Sequence, residues 1–158
     1  MSLLVAANNA RPDDLNLLLF VHILGAMLLV GSLLLTGAVL AGVWRDGSAE
    51  RTRFAFRTLL IAVIPSWLVT RVFAQITLDD AVYDKIEDDA AWVGIGFMTT
   101  ELGLLLIIGA TVASGLAVRR AAREGGTVGT GARVATVLVA ILIIFYLVAI
   151  WAMTAKPD

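Results

Sequence analysis

"LLIAVIPSWLVTRVFAQITL", residues 59–78, is the stretch on which the reading of the chain turns. A membrane-spanning helix needs about 20 predominantly apolar residues, and this run supplies that length with Arg71 as its one charged side chain. An arginine at the centre of a span costs about 2.5–3.5 kcal/mol on insertion scales, so such residues face a bundle interior, pair with an opposite charge or reach for the interface. The stretch therefore reads as a span whose arginine needs a counter-ion from a neighbouring span.

Working outward, three further windows of the same kind appear. Leu17 to Trp44 contains no Asp, Glu, Lys or Arg, Ala90 to Val118 contains only Glu101, and Val134 to Ala155 contains none. The chain is 59% hydrophobic and 16% charged, against about half and about a quarter for an average soluble domain. These windows predict an all-α integral membrane four-helix bundle, with helices over about 17–44, 56–78, 91–118 and 134–155 in a single membrane domain spanning 1–158. They leave short connections and no room for a soluble domain.

The formal net charge of −1 hides a segregation. Arg45, Arg51, Arg53 and Arg57 fall between the first two windows, and Arg119, Arg120, Arg123 and Arg133 between the last two. Between the second and third windows Asp79, Asp80, Asp84, Glu87, Asp88 and Asp89 face the single Lys85. Because cytoplasmic loops retain Lys and Arg, the basic loops 45–57 and 119–133 are expected inside and the acidic 79–89 loop outside. Both termini then lie outside, as an even number of spans requires. Read as a short helix, the acidic loop would align Asp80, Asp84, Glu87 and Asp88 for a hard cation, but it does not follow an EF-hand pattern. A solvated external cap is the simpler expectation. The arginine clusters read as topology signals and headgroup contacts. They are not read as a nucleic-acid site, for which no motif is present.

The opening "MSLLVAANNARPDD" lacks a basic n-region and a full apolar h-region, so no cleaved signal peptide is expected. Absence of cysteine removes disulfides, thiolate metal sites and lipoprotein attachment. His22, Gly25, Leu29, Ser32 and Thr36 share one face of the first helix, which predicts close packing and interhelical hydrogen bonds there. Gly109 with Ala113 and Ala110 with Ser114 mark the third helix as its close neighbour. Pro65 is expected to kink the second helix.

Depth arithmetic supplies the candidate site. Arg71 lies seven residues from Leu78 and Glu101 nine from Trp92, which at 1.5 Å per residue puts them about 10 and 13 Å from the same surface. Opposite charges on consecutive antiparallel helices at similar depth are expected to pair. Trp67, Arg71 and Gln75 share a face at four-residue spacing, so Trp67 offers an aromatic platform and Gln75 a polar path outward. Met98 and Glu101 share a face of the third helix. His22 and Tyr146 fall in the same outer half, giving one polar layer to which all four helices contribute. The layer reads either as a register-fixing ion pair completed by hydrogen bonds or as an outward-facing pocket for a small ligand, a proton or a cofactor.

Cofactor chemistry finds little support. His22 is the only histidine, which excludes bis-histidine haem within one chain and leaves His/Met or five-coordinate haem. Copper(I) favours soft ligands, and Met27, Met98 and Met153 are present, but Met27 lies on another side of the helix from His22. The expectation is no cofactor, with haem or copper as the alternative. Nor has the lone histidine an obvious activated nucleophile at its depth, so no enzyme is expected. The leading functional expectation is a non-enzymatic protein of the lipid bilayer that packs with itself or a membrane partner and binds a small ligand in the outer leaflet. The alternative is a transport or redox accessory that uses the His22, Arg71 and Glu101 layer.

With "LLFVHILGAMLLVGSLLLTG" in the first helix and "IWAMTAKP" closing the fourth, the chain resembles a bacterial family of predicted integral membrane proteins, domain of unknown function 2269. The matching positions are His22 and Gly25 of an HxxG motif, and Met153, Lys156 and Pro157 near the C-terminus. More distantly it is similar to the membrane region of copper-resistance D-type proteins. The resemblance covers nearly the whole chain and implies a four-helix protein of the bacterial inner membrane, with no assigned activity.

Overall fold

The computed structural model describes residues 13–81, 91–125 and 128–155. Helix α1 runs over Asp13–Asp46. The second rod joins α2 (Ala49–Thr58), a π-type turn (Leu59–Val63) and α3 (Ile64–Ala81) without a break. Helices α4 (Ala91–Glu124) and α5 (Gly129–Ala155) complete the set. All four rods are long and apolar enough to cross a membrane, and the fold is an all-α bundle.

Each rod outruns the apolar window that announces it. Arginine, alanine and glutamate are good helix formers, so the basic segments continue the helices instead of looping. Arg51, Arg53 and Arg57 lie on α2, Arg119, Arg120 and Arg123 on α4, and Arg133 on α5. The expected basic loop 45–57 shrinks to Gly47 and Ser48 between helices. Gly47 adopts φ 61 and donates its N–H to the Val43 carbonyl at 2.8 Å, closing α1. A positive φ at a helix end is readily adopted by a residue without Cβ. Ser48 then caps α2, its Oγ accepting from the Arg51 N–H at 3.3 Å. Of the acidic loop, residues 82–90 lie outside the described residues, as do Lys156 and Pro157.

The π turn has a local cause. Pro65 has no N–H and its ring crowds the carbonyl four residues back. Immediately before it the ladder widens by one residue, the Ile64 N–H reaching the Leu59 carbonyl. The irregularity forecast from Pro65 thus takes the form of a π-type turn, a known device for relieving the helical ladder.

The rods are arranged as a ring: α1 lies against both the second rod and α5, and α4 lies against α5 and α2. α1 and α4 are not packed neighbours, contrary to the small-residue expectation. The small residues of α4 serve α5 instead. A Cβ on Gly131 would lie 3.0 Å from the Ala113 carbonyl, and one on Gly109 would lie 3.3 Å from Leu138. The expected interhelical hydroxyl bonds also turn inward along their own helices. Thr36 donates to the Ser32 carbonyl at 2.7 Å and Ser114 to the Ala110 carbonyl at 2.8 Å, which satisfies each hydroxyl locally. The interior is left to apolar side chains such as Leu29, Leu33, Leu40, Leu59, Ile107 and Leu142.

Candidate functional site

The second rod and α4 pack well at the arginine-rich end, where Phe56 fills the space over Gly115. Toward the far end α3 and α4 approach each other in only a few places. There the connection is made by side chains. The Trp67 indole N–H donates to the Thr100 carbonyl at 3.1 Å. One turn further out, Arg71 Nε donates to Glu101 Oε1 at 3.2 Å. The Arg71 guanidinium also donates through Nη1 to Gln75 Oε1 at 2.8 Å and lies 5.1 Å from the centroid of the Phe97 ring.

The pairing of Arg71 with Glu101 follows from matched depth. Arg71 stands ten residues before the end of α3 and Glu101 ten residues after the start of α4, so each lies about 15 Å along its helix from the same end. Two of the five guanidinium N–H donors are engaged by these bonds. The aromatic platform belongs to Phe97, not to Trp67 as its spacing suggests, because the indole is turned toward the Thr100 carbonyl. Phe97 lies one turn before Glu101 on the same face of α4, a spacing that identifies it in retrospect. The Thr100 carbonyl, as a backbone acceptor, gives no such signal.

The pair does not sit inside the bundle. The Glu101 side chain is 60% exposed and that of Arg71 25%. On α4, Glu101 falls within an outward stripe formed by Met98, Leu105, Ile108, Val112 and Leu116, all exposed. Met98 is therefore on the outer surface, and it shares with Glu101 the face that the sequence assigns it.

The remaining members of the expected layer lie near the level of the pair, against Thr70 and Gly103, but hydrogen-bond to neither Arg71 nor Glu101. His22 bonds through Nδ1 to the Thr70 carbonyl at 2.9 Å, linking α1 to α3. A carbonyl can only accept, so Nδ1 carries the proton of this bond. Three residues further on, a Cβ at Gly25 would lie 2.9 Å from Thr70 Oγ1. The HxxG spacing thus fits a close α1–α3 contact, with the glycine admitting α3 and the imidazole fastening its backbone. Tyr146, only 8% exposed, belongs to the apolar core, and its hydroxyl has no hydrogen-bond partner among the described residues. The space over Gly103 is occupied by this hydroxyl. The four residues thus share a depth without forming one joined cluster: an outward pair, a histidine strut and a core tyrosine. Among the described residues, no three His, Cys, Asp or Glu side chains are grouped as a metal would require.

None of the family models, curated proteins or solved structures compared with the chain matches it. The class defined by fold and composition is a multi-pass membrane protein with four spanning-capable helices.

Proposed function

We propose that the chain is a non-enzymatic component of a bacterial inner membrane, and that its α3–α4 face associates with a second copy around the Arg71–Glu101 pair. The observation that carries this reading is the exposed Glu101 carboxylate, positioned about 15 Å from the helix end within an otherwise apolar stripe. Lipid covers such a charge poorly. A protein surface bearing the opposite charge at the same depth covers it well. A two-fold axis along the membrane normal keeps Arg71 and Glu101 of both copies at one depth, so each carboxylate meets the other copy's guanidinium in a self-complementary interface.

The chain has no cysteine, so single-cysteine cross-linking is clean. Leu105→Cys, one turn from Glu101 on the same stripe, is expected to give disulfide-linked dimers in lipid bilayers, whereas Ile144→Cys, similarly exposed on α5, is not. Replacing the pair together, Arg71→Met with Glu101→Leu, is expected to abolish the Leu105→Cys link while the helices still fold. A link equally strong at both positions, or a single copy per particle by photobleaching, would overturn the dimer.

A further inference from the structure

At the arginine-rich end the two short connections of the bundle are fastened together. The Val128 N–H donates to the Gly47 carbonyl at 3.3 Å, holding the last turn of α1 beside the first turns of α5. Between them lies a cleft of about 270 Å³, whose lining includes Trp44, Arg45, Asp46, Val128 and Arg133.

The charges of this cleft do not cancel. The Asp46 carboxylate is committed to its own turn, with Oδ2 at 2.8 Å from Arg51 Nη1 and Oδ1 accepting from the Ser48 N–H at 3.1 Å. Arg45 and Arg133 form no ion pair among the described residues. The end of α1 and the start of α5 bring opposite dipole ends together, so backbone dipoles largely offset one another. Two arginines from different helices therefore remain as an uncompensated cationic pair.

The remaining lining narrows the ligand class. Guanidinium groups present paired N–H donors that match phosphoryl oxygens. Trp44 is exposed beside them, as tryptophan is at membrane–water interfaces, and Val43, Val128 and Ala132 give the cleft an apolar side. We propose that the cleft between α1 and α5 binds a phosphoryl anion through Arg45 and Arg133, as presented by an anionic phospholipid headgroup or by free phosphate. This site lies at the opposite end of the rods from Arg71 and Glu101 and is independent of dimer formation.

Native mass spectrometry of the delipidated full chain tests the site with phosphatidylglycerol, phosphatidylcholine and inorganic phosphate as probes. The first phosphatidylglycerol is expected to bind preferentially over phosphatidylcholine. Affinity should fall about 30-fold in Arg45→Gln/Arg133→Gln, the scale of losing two basic contacts to an anionic headgroup. Arg53→Gln/Arg57→Gln removes the same charge from α2, outside the cleft, and is expected to change it little. If inorganic phosphate binds with the same dependence on Arg45 and Arg133 and displaces the lipid, a soluble anion shares the site; if it does not, the ligand is the headgroup. Equal loss in both double variants, or neither a preference for phosphatidylglycerol nor phosphate binding that depends on Arg45 and Arg133, overturns the proposal. Unchanged helicity by circular dichroism verifies that each variant is folded.

Discussion

Arg71 shows how far a single residue carries a sequence reading in lipid. Its charge demands a partner, a helical rise of 1.5 Å per residue limits the candidates by depth, and Glu101 satisfies the limit at 3.2 Å. Depth arithmetic cannot give azimuth, so the sequence placed the pair in an interior layer whereas it lies on the flank of the bundle. Removing one partner leaves the other charge without compensation. Glu101→Gln is therefore expected to lower stability in detergent by about 1–2 kcal/mol, less than for a fully buried pair because Arg71 keeps its bond to Gln75. The exchange Arg71→Glu/Glu101→Arg should restore part of this in thermal unfolding, and equal losses in single and double variants would show that the contact contributes nothing. Tyr146 makes the opposite case. A buried hydroxyl without a partner costs about 1–3 kcal/mol, so Tyr146→Phe is expected to leave the melting temperature unchanged or raise it. Gly103→Ala, whose Cβ would lie 2.7 Å from that hydroxyl, should destabilise, and Tyr146→Phe should rescue it. A loss on Tyr146→Phe alone would reveal a hydrogen-bond partner for the hydroxyl.

Among the elements, helix existence was legible and helix ends were not. Hydropathy marks the segments that must leave water, so all four rods were foreseen. It is silent on arginine-rich extensions that remain helical because their side chains favour the helix. Neighbour relations were partly hidden because a small residue permits close approach without naming the partner. Gly109 and Ala113 read as contacts for α1 but serve α5, whereas Gly25 of the HxxG motif does mark a real crossing, that of α1 with α3. The contrast between Gly25 and Gly31 tests this. A Cβ at Gly25 meets Thr70 Oγ1 at 2.9 Å and the Thr70 nitrogen at 3.2 Å, while one at Gly31 meets nothing within 4 Å. Gly25→Ala is expected to destabilise by about 1–2 kcal/mol through overpacking. Gly31→Ala should stabilise by up to about 1 kcal/mol through helix propensity. Thermal unfolding of the two variants side by side checks both signs, and similar behaviour would mean that α1 and α3 do not cross closely at Gly25.

At the scale of the whole molecule, the short connections decide which charges share a surface. Gly47 and Ser48 join α1 to α2, and the Val128–Gly47 hydrogen bond joins that turn to the start of α5. The arginines at the ends of α1 and α4, along α2 and at the start of α5 thus lie at one end of the bundle, as four antiparallel rods require. Retention of Lys and Arg on the cytoplasmic side is the ground on which we propose that this is the inner end and that the acidic 79–89 loop lies outside. Cysteines introduced at Asp84 and at Gly126 should label from opposite faces of right-side-out vesicles with a membrane-impermeant maleimide, Asp84→Cys before lysis and Gly126→Cys only after it. Labelling of both from one face would mean that α4, which lies between the two positions, does not cross the membrane, and would overturn the four-span topology. Reversed labelling would put the arginines outside, and retention of basic loops could then not be what orients the chain.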